Sequence, residues 1–175
     1  MDIFEENTIY FAKMRADALI PRKEREDAGY DIYAAFDEDY IIIKPYSTGL
    51  VPTGIAWASS EEYYMQFEER SSTGLKGLKI SGGIIDSGYR GEFKVALFNA
   101  NSKPLVLSPL FEEDIKEKLK ENEKIEDFIF YSTSKAIAQG IIHRVEDMNV
   151  KEISLSALLE IPSKRGEKGF GSSNK

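Results

Sequence analysis

Cysteine is absent from this chain, and histidine occurs once, at position 143. The first absence excludes disulfides, thiolate metal sites and cysteine nucleophiles. The second leaves too little for a structural zinc site or a Ser-His-Asp triad, so His143 reads as a strand residue. Basic residues are also short, 23 against 30 acidic, for a net charge of -7. Such a chain repels polyanions overall and is a poor nucleic-acid binder, because that affinity rests largely on neutralising phosphates. A small phosphorylated ligand is still compatible, provided that a few cations and a divalent metal converge locally. No apolar run is long enough to cross a bilayer, and Met1-Asp2-Ile3-Phe4-Glu5-Glu6 has neither the basic start nor the apolar stretch of a leader. The expectation is a cytoplasmic protein with no membrane partner. A length of 175 residues without a break in composition predicts one domain, residues 1–163, and a tail, residues 164–175.

Most of the chain reads as strand. Thr8 to Met14, Asp27 to Ala34, Tyr40 to Ile43, Leu50 to Trp57, Tyr63 to Phe67 and Ala136 to Ile142 are short apolar or alternating runs punctuated by turn residues. Phe128 to Tyr131 and the first part of Val150 to Ile161 add two more candidates, the latter followed by a helical turn. Gly29 marks a close backbone approach or a bulge, and Asp31 is out of place in a strand, which suggests that it contacts something other than core. Between Ser108-Pro109 and the 120s the pattern changes. Leu110, Phe111, Ile115 and Leu119 share one helical face, Glu112-Lys116 and Asp114-Lys118 are i,i+4 pairs, and acids precede lysines as the helix dipole prefers. Residues 109–122 are expected to be an amphipathic helix, either a surface decoration or, through its apolar stripe, a partner-binding element.

Three stretches carry possible chemistry. Asp86-Ser87-Gly88-Tyr89 reads as a tight turn between apolar strands, with Phe93, Val95 and Leu97 alternating on the far side, so a hairpin is expected there. Its carboxylate could take a proton from water and Tyr89 could offer a face to a ring, or Asp86 could simply satisfy backbone N–H groups. Arg70-Ser71-Ser72 opens a short helical turn whose amides, hydroxyls and guanidinium would suit phosphate, unless a serine is only an N-cap. Gln139 interrupts an apolar strand and faces either a cavity or solvent. Finally, the glycine-rich basic end from Lys164 to Lys175 reads as mobile, or as a lid that orders over a polyphosphate with Phe170 covering a base.

In this order the motifs resemble those of the homotrimeric dUTPases, which hydrolyse dUTP to dUMP and pyrophosphate. Ala28 to Ala34 looks like their first motif, Arg70-Ser71-Ser72 with Lys76-Gly77 their second, and Gly83-Ile84-Ile85-Asp86-Ser87-Gly88-Tyr89-Arg90-Gly91 through Asn99 their third. Ile137-Ala138-Gln139 matches the fourth, and Arg165 to Ser173 the fifth. The resemblance implies an all-β, jelly-roll-like barrel with a short inserted helix, a C-terminal strand or tail exchanged in a trimer, and active sites shared among three subunits. It implies Asp86 as the base for the attacking water and Tyr89 beneath the deoxyribose. Uracil would be read near Ile80 to Gly83, with Arg70, Ser71, Ser72 and Gln139 on phosphate oxygens. Arg165, Gly171, Ser172 and Ser173 would clamp the outer phosphates, with Phe170 over the base, and Asp31 would reach Mg²⁺ through water. Two departures stand out. Ser134-Lys135-Ala136 replaces the usual Gly-Asp-Arg, and the span from Asn99 to Ile137 is longer than usual. A dCTP deaminase shares the fold but needs a glutamate where this chain aligns Ala96. Some phage-borne relatives act instead as nucleotide-gated regulatory proteins, a role the 109–122 helix would carry.

Overall fold

Residues 93, 95, 97 and 99 are buried between exposed or half-buried neighbours because every second side chain enters the core, and the same period of two recurs over residues 55–58 and 64–68. The computed structural model describes residues 4–167. Among them are twelve strands: β1 Tyr10–Lys13, β2 Tyr30–Ile32, β3 Ile41–Ile43, β4 Ser47–Pro52, β5 Ile55–Ala58, β6 Tyr63–Glu68, β7 Leu78–Ile80, β8 Ile84–Ile85, β9 Lys94–Asn99, β10 Leu105–Ser108, β11 Ile129–Ser132 and β12 Ala138–Arg144. Three short helices, α1 Ser71–Leu75, α2 Glu112–Asn122 and α3 Leu155–Leu159, complete the described chain. The strands form four sheets, ordered β1-β5, β11-β10-β3, β2-β12-β6-β8 and β4-β9-β7. The chain divides into two compact units, Met1–Val145 and Glu146–Lys175.

The core of the first unit gathers around Phe93, which is fully buried. Its ring meets Phe67 edge-on at 5.3 Å, Trp57 at 6.0 Å and Phe11 at 6.4 Å, so two sheets and the residue that leads into β9 contribute to one aromatic cluster. Among the described residues, buried side-chain polar groups are satisfied. Asn99 donates to the carbonyls of Ile43 (3.1 Å) and Lys103 (2.8 Å), and the Thr53 hydroxyl donates to the Phe93 carbonyl (2.8 Å).

The expected hairpin around Asp86 does not form. β8 pairs with β6, whereas β9 pairs with β4 and β7, so the strands on either side of the turn belong to different sheets. Alternation identifies a strand and its buried face but not its partner, which is why the sequence suggested the nearest neighbour. In the second unit no strand precedes α3 among the described residues; only the helical turn is present, capped by the Ser154 hydroxyl on the Ala157 N–H (3.2 Å).

The inserted helix is neither decoration nor a free docking face. It lies between β10 and β11, which pair in parallel, and parallel neighbours need a crossover of this kind. Ile115 and Leu119 are fully buried with Val106, packed by Ile42 and Phe130, its two in-register neighbours across the sheet. Of the stripe that suggested a partner, Leu110, Ile115 and Leu119 are thus spent on the protein's own sheet, and Phe111 is not. The helix begins at Glu112, three residues later than expected, because Phe111 is extended at the cap (φ -72°, ψ 154°) and 79% exposed. Lys116 pairs with Glu112 at 2.8 Å as predicted, but Lys118 reaches Asp39 at 2.6 Å.

Candidate active site

Two clusters contain the residues singled out in the first unit. In the first, β2, β12 and β6 bring Asp31, Gln139 and Glu68 into one cross-strand row. These side chains share the face away from the core, since Ile32, Ala138 and Phe67 on the same strands are buried. Arg70 follows β6 and folds back on this row, its Nε 2.9 Å from Asp31 Oδ1. Gln139 Nε2 donates to the Glu69 carbonyl at 2.8 Å, so the amide is half-buried and engaged with backbone. Gly29 is required beside it, because a Cβ there would stand 2.7 Å from Gln139 Oε1.

Neither serine of Arg70-Ser71-Ser72 is the helix cap. Arg70 holds that position, its carbonyl accepting from the N–H groups of Thr73 (3.0 Å) and Gly74 (2.9 Å), while Ser71 and Ser72 are exposed on the first turn of α1. Tyr131, only 3% exposed, donates its hydroxyl to the Ala136 carbonyl at 2.7 Å and so braces the departing Ser134-Lys135-Ala136 turn. Burial pushes the Tyr131 phenol above its ordinary pKa, against an opposing pull from the Arg70 guanidinium beside it. A cleft of about 390 Å³ borders Asp31, with Lys13, Arg22 and Lys23 on its walls. Glu24 and Asp27 also line it, so its three bases are matched by three acids with Asp31 and the cleft carries no excess of cations.

The second cluster is the turn. The Asp86 carbonyl is held by Trp57 Nε1 at 3.2 Å and by the Tyr89 N–H at 3.1 Å, which fixes the backbone and leaves the residue exposed. Tyr89 is 46% exposed, with its hydroxyl on the Glu92 carbonyl at 3.1 Å. Upstream, the Gly83 carbonyl accepts from the Phe67 N–H at 2.8 Å, and a Cβ on Gly83 would stand 2.5 Å from the Phe67 carbonyl oxygen. Ser81 donates its N–H to the Ala96 carbonyl at 2.9 Å, so Ala96 borders this turn with no titratable side chain. A broader cleft of about 910 Å³ opens on Ser87, Gly88 and Arg90 with Glu61 and Glu62, but Asp86 and Tyr89 do not line it.

Within one chain the clusters are apart. Asp86 follows Ile85, level with Tyr64 on β6, and Gln139 is level with Glu68. Four residues at roughly 3.3 Å and two strand spacings of about 4.8 Å place the two Cα atoms roughly 16 Å apart. Of the expected tail residues, Arg165 has its backbone N–H on the Ser163 hydroxyl at 3.2 Å, in the second unit. Phe170, Gly171, Ser172 and Ser173 lie outside the described residues. Sequence reasoning missed Trp57, Tyr131 and Glu69. The lone tryptophan and a pair of adjacent acids beside an anion-binding motif were the available signals.

The described residues contain no group of three or more His, Cys, Asp or Glu side chains able to hold a metal, and no helix long and apolar enough to cross a membrane. The dUTPase family model matches residues 16–109. Among relatives, the deoxyuridine 5'-triphosphate nucleotidohydrolase of Yaba monkey tumor virus is 30% identical over 94% of this chain and 95% of its own, and that of Orientia tsutsugamushi 35% identical over 83% and 81%. Among solved structures, the Staphylococcus bacteriophage 80alpha dUTPase with dUpNHpp superposes with a TM-score of 0.70 at 25% identity, covering 97% of this chain and 99% of that one. A family model spanning more than half of the chain, together with relatives aligned along nearly all of it, makes the protein a member of the dUTPase family.

Proposed function

We propose that the two clusters act on one substrate across a subunit boundary, Asp86 from one chain facing Arg70, Ser71, Ser72 and Gln139 of another. The enzyme is a dUTP diphosphatase, releasing dUMP and pyrophosphate. The separation of roughly 16 Å estimated from strand geometry carries the shared-site reading, because a base must stand within hydrogen-bond reach of the water it activates. A homotrimer whose strands close as a jelly-roll-like barrel, with its C-terminal segment exchanged, brings the halves together.

In that site the Asp86 carboxylate orients the water in line with the α-phosphorus and takes its proton. Trp57 and Tyr89 fix the backbone from which it projects. Tyr89 lies beneath the deoxyribose and leaves no room for a 2′-hydroxyl. Uracil sits against the Ile80 to Gly83 turn, whose backbone is held too firmly to admit a thymine methyl. Arg70, preoriented by Asp31, and Gln139, anchored on Glu69, meet phosphate oxygens and stabilise the charge that develops on the leaving group. Residues 164–175 form a lid, with Arg165 and the Gly171 to Ser173 loop on the outer phosphates and Phe170 over the base. Mg²⁺ would fit this donor set as an ion carried by the triphosphate: Asp31, half-exposed and already paired with Arg70, would hold it through water. When bound, it supplies neutralising charge to the phosphates.

Deamination of dCTP is disfavoured because Ala96, at the turn, can shuttle no proton. A regulatory partner would have to use features other than the buried stripe of α2, such as the exposed Phe111. Pyrophosphate release compared across dUTP, dTTP, UTP and dCTP, with Mg²⁺ and after chelation, tests the reading. Strong selectivity for dUTP, lost with the metal, is expected, whereas comparable rates on all four would refute the proposed base and sugar contacts.

A further inference from the structure

We infer that Glu69 is a positioning residue that ties the base-reading turn to the phosphate-holding pair, so that uracil selectivity depends on a side-chain acceptor that need not touch the base. The inference rests on the proposed assignment of Ile80 to Gly83 to the base and of Arg70 and Gln139 to phosphate. Glu69 bonds to both sides. Its Oε1 accepts from the Ile80 N–H at 3.3 Å, and its backbone carbonyl accepts from Gln139 Nε2 at 2.8 Å. The next residue is Arg70, so any shift of Glu69 is transmitted to the guanidinium.

An acid in this position otherwise works against a triphosphate, since it places negative charge beside the residues that hold the anion. It is tolerated because its charge is answered locally: Lys79 Nζ lies 3.5 Å away and the side chain is 24% exposed. Burial pushes the carboxyl pKa up, but the backbone N–H groups of Glu69 and Ile80, together with Lys79, outweigh it and hold the group below its ordinary value. The turn has two supports. On one edge Ser81 is hydrogen-bonded to Ala96 and β7 to β9. On the other, Gly83 is bonded to Phe67 and Ile80 to the Glu69 carboxylate. Without the carboxylate, the Ile80 end of this second edge loses its only side-chain tether among the described residues, and the aperture for the base relaxes.

The test compares full-length Glu69→Ala, Glu69→Asp and Glu69→Gln by kcat and KM on dUTP and dCTP, with thermal midpoints. Glutamine retains an acceptor at the same reach, whereas aspartate keeps the charge but is one methylene too short for the Ile80 N–H. The Ala and Asp variants are expected to raise KM for dUTP about tenfold, the scale of a lost charged hydrogen bond. They should narrow the preference for dUTP over dCTP similarly, with kcat changed less than about threefold, while Gln stays within about threefold of wild type throughout. Unchanged KM and selectivity in Asp, or Gln impaired while Asp is normal, overturns the inference. Should Ala fail to fold, the Asp–Gln contrast still decides. A wild-type protein inactive on dUTP would instead refute the functional reading itself.

Discussion

Replacing Asp86 by asparagine removes the proposed base while keeping size and shape. The backbone anchors are untouched, because Trp57 Nε1 and the Tyr89 N–H both bond the residue's carbonyl, not its side chain. An exposed, isosteric change of this kind should alter stability by no more than about 0.5 kcal/mol. Turnover is another matter. A positioned general base contributes ~10²–10⁴-fold, equivalent to about 3–5 kcal/mol of barrier at 1.36 kcal/mol per decade. The expected result is a kcat for pyrophosphate release lowered on that scale, with affinity for a non-hydrolysable dUTP analogue within a few-fold of wild type. Loss of analogue binding in parallel with activity would make Asp86 a ligand contact and not a base; normal turnover would remove it from the chemistry.

Leu119→Ala should cost about 2–5 kcal/mol, because the residue is fully buried in the satellite core beneath α2; chemical denaturation measures it, and kcat on dUTP at a permissive temperature should be retained. Removing residues 164–175 should lower kcat on the order of 100-fold by opening the site to water while leaving the thermal midpoint in place. A truncated enzyme at full rate would discard the lid. At acid pH, Glu69 contributes a defined part of the stability loss. Its folded pKa lies below the unfolded value, so its contribution is present above the unfolded pKa and is lost as pH falls through the folded one. Unfolding midpoints of Glu69→Gln should therefore fall less steeply than wild type in that range.

Much of this architecture was legible in the chain because local rules and tertiary demands coincide there. Phe93, Val95 and Leu97 alternate with exposed or half-buried neighbours, and Gly29 leaves the space that Gln139 fills. Long-range choices were not legible. Nothing in the Asp86 turn reveals that β8 chooses β6 while β9 chooses β4 and β7. The α2 stripe looked available because amphipathicity shows that a face will be buried, not against what; the parallel β10–β11 pair supplies the answer. In the site, Asp31, Arg70 and Gln139 do converge as the motifs suggested, whereas the side chains of Glu69, Trp57 and Tyr131 bond backbone atoms of distant residues, partners that residue type does not reveal even where a lone tryptophan or adjacent acids draw the eye.

The central claim is that Asp86 and Arg70 of different chains complete one site, and subunit complementation tests it directly. Asp86→Asn and Arg70→Ala proteins, each inactive alone, are unfolded together in equal amounts and refolded. If the halves meet across a boundary in a closed three-fold ring, mixed assemblies regenerate one intact site in three, and about a quarter of wild-type activity returns. If no activity appears although mixed trimers have formed, the two residues serve the same site from one chain, and the account is contradicted.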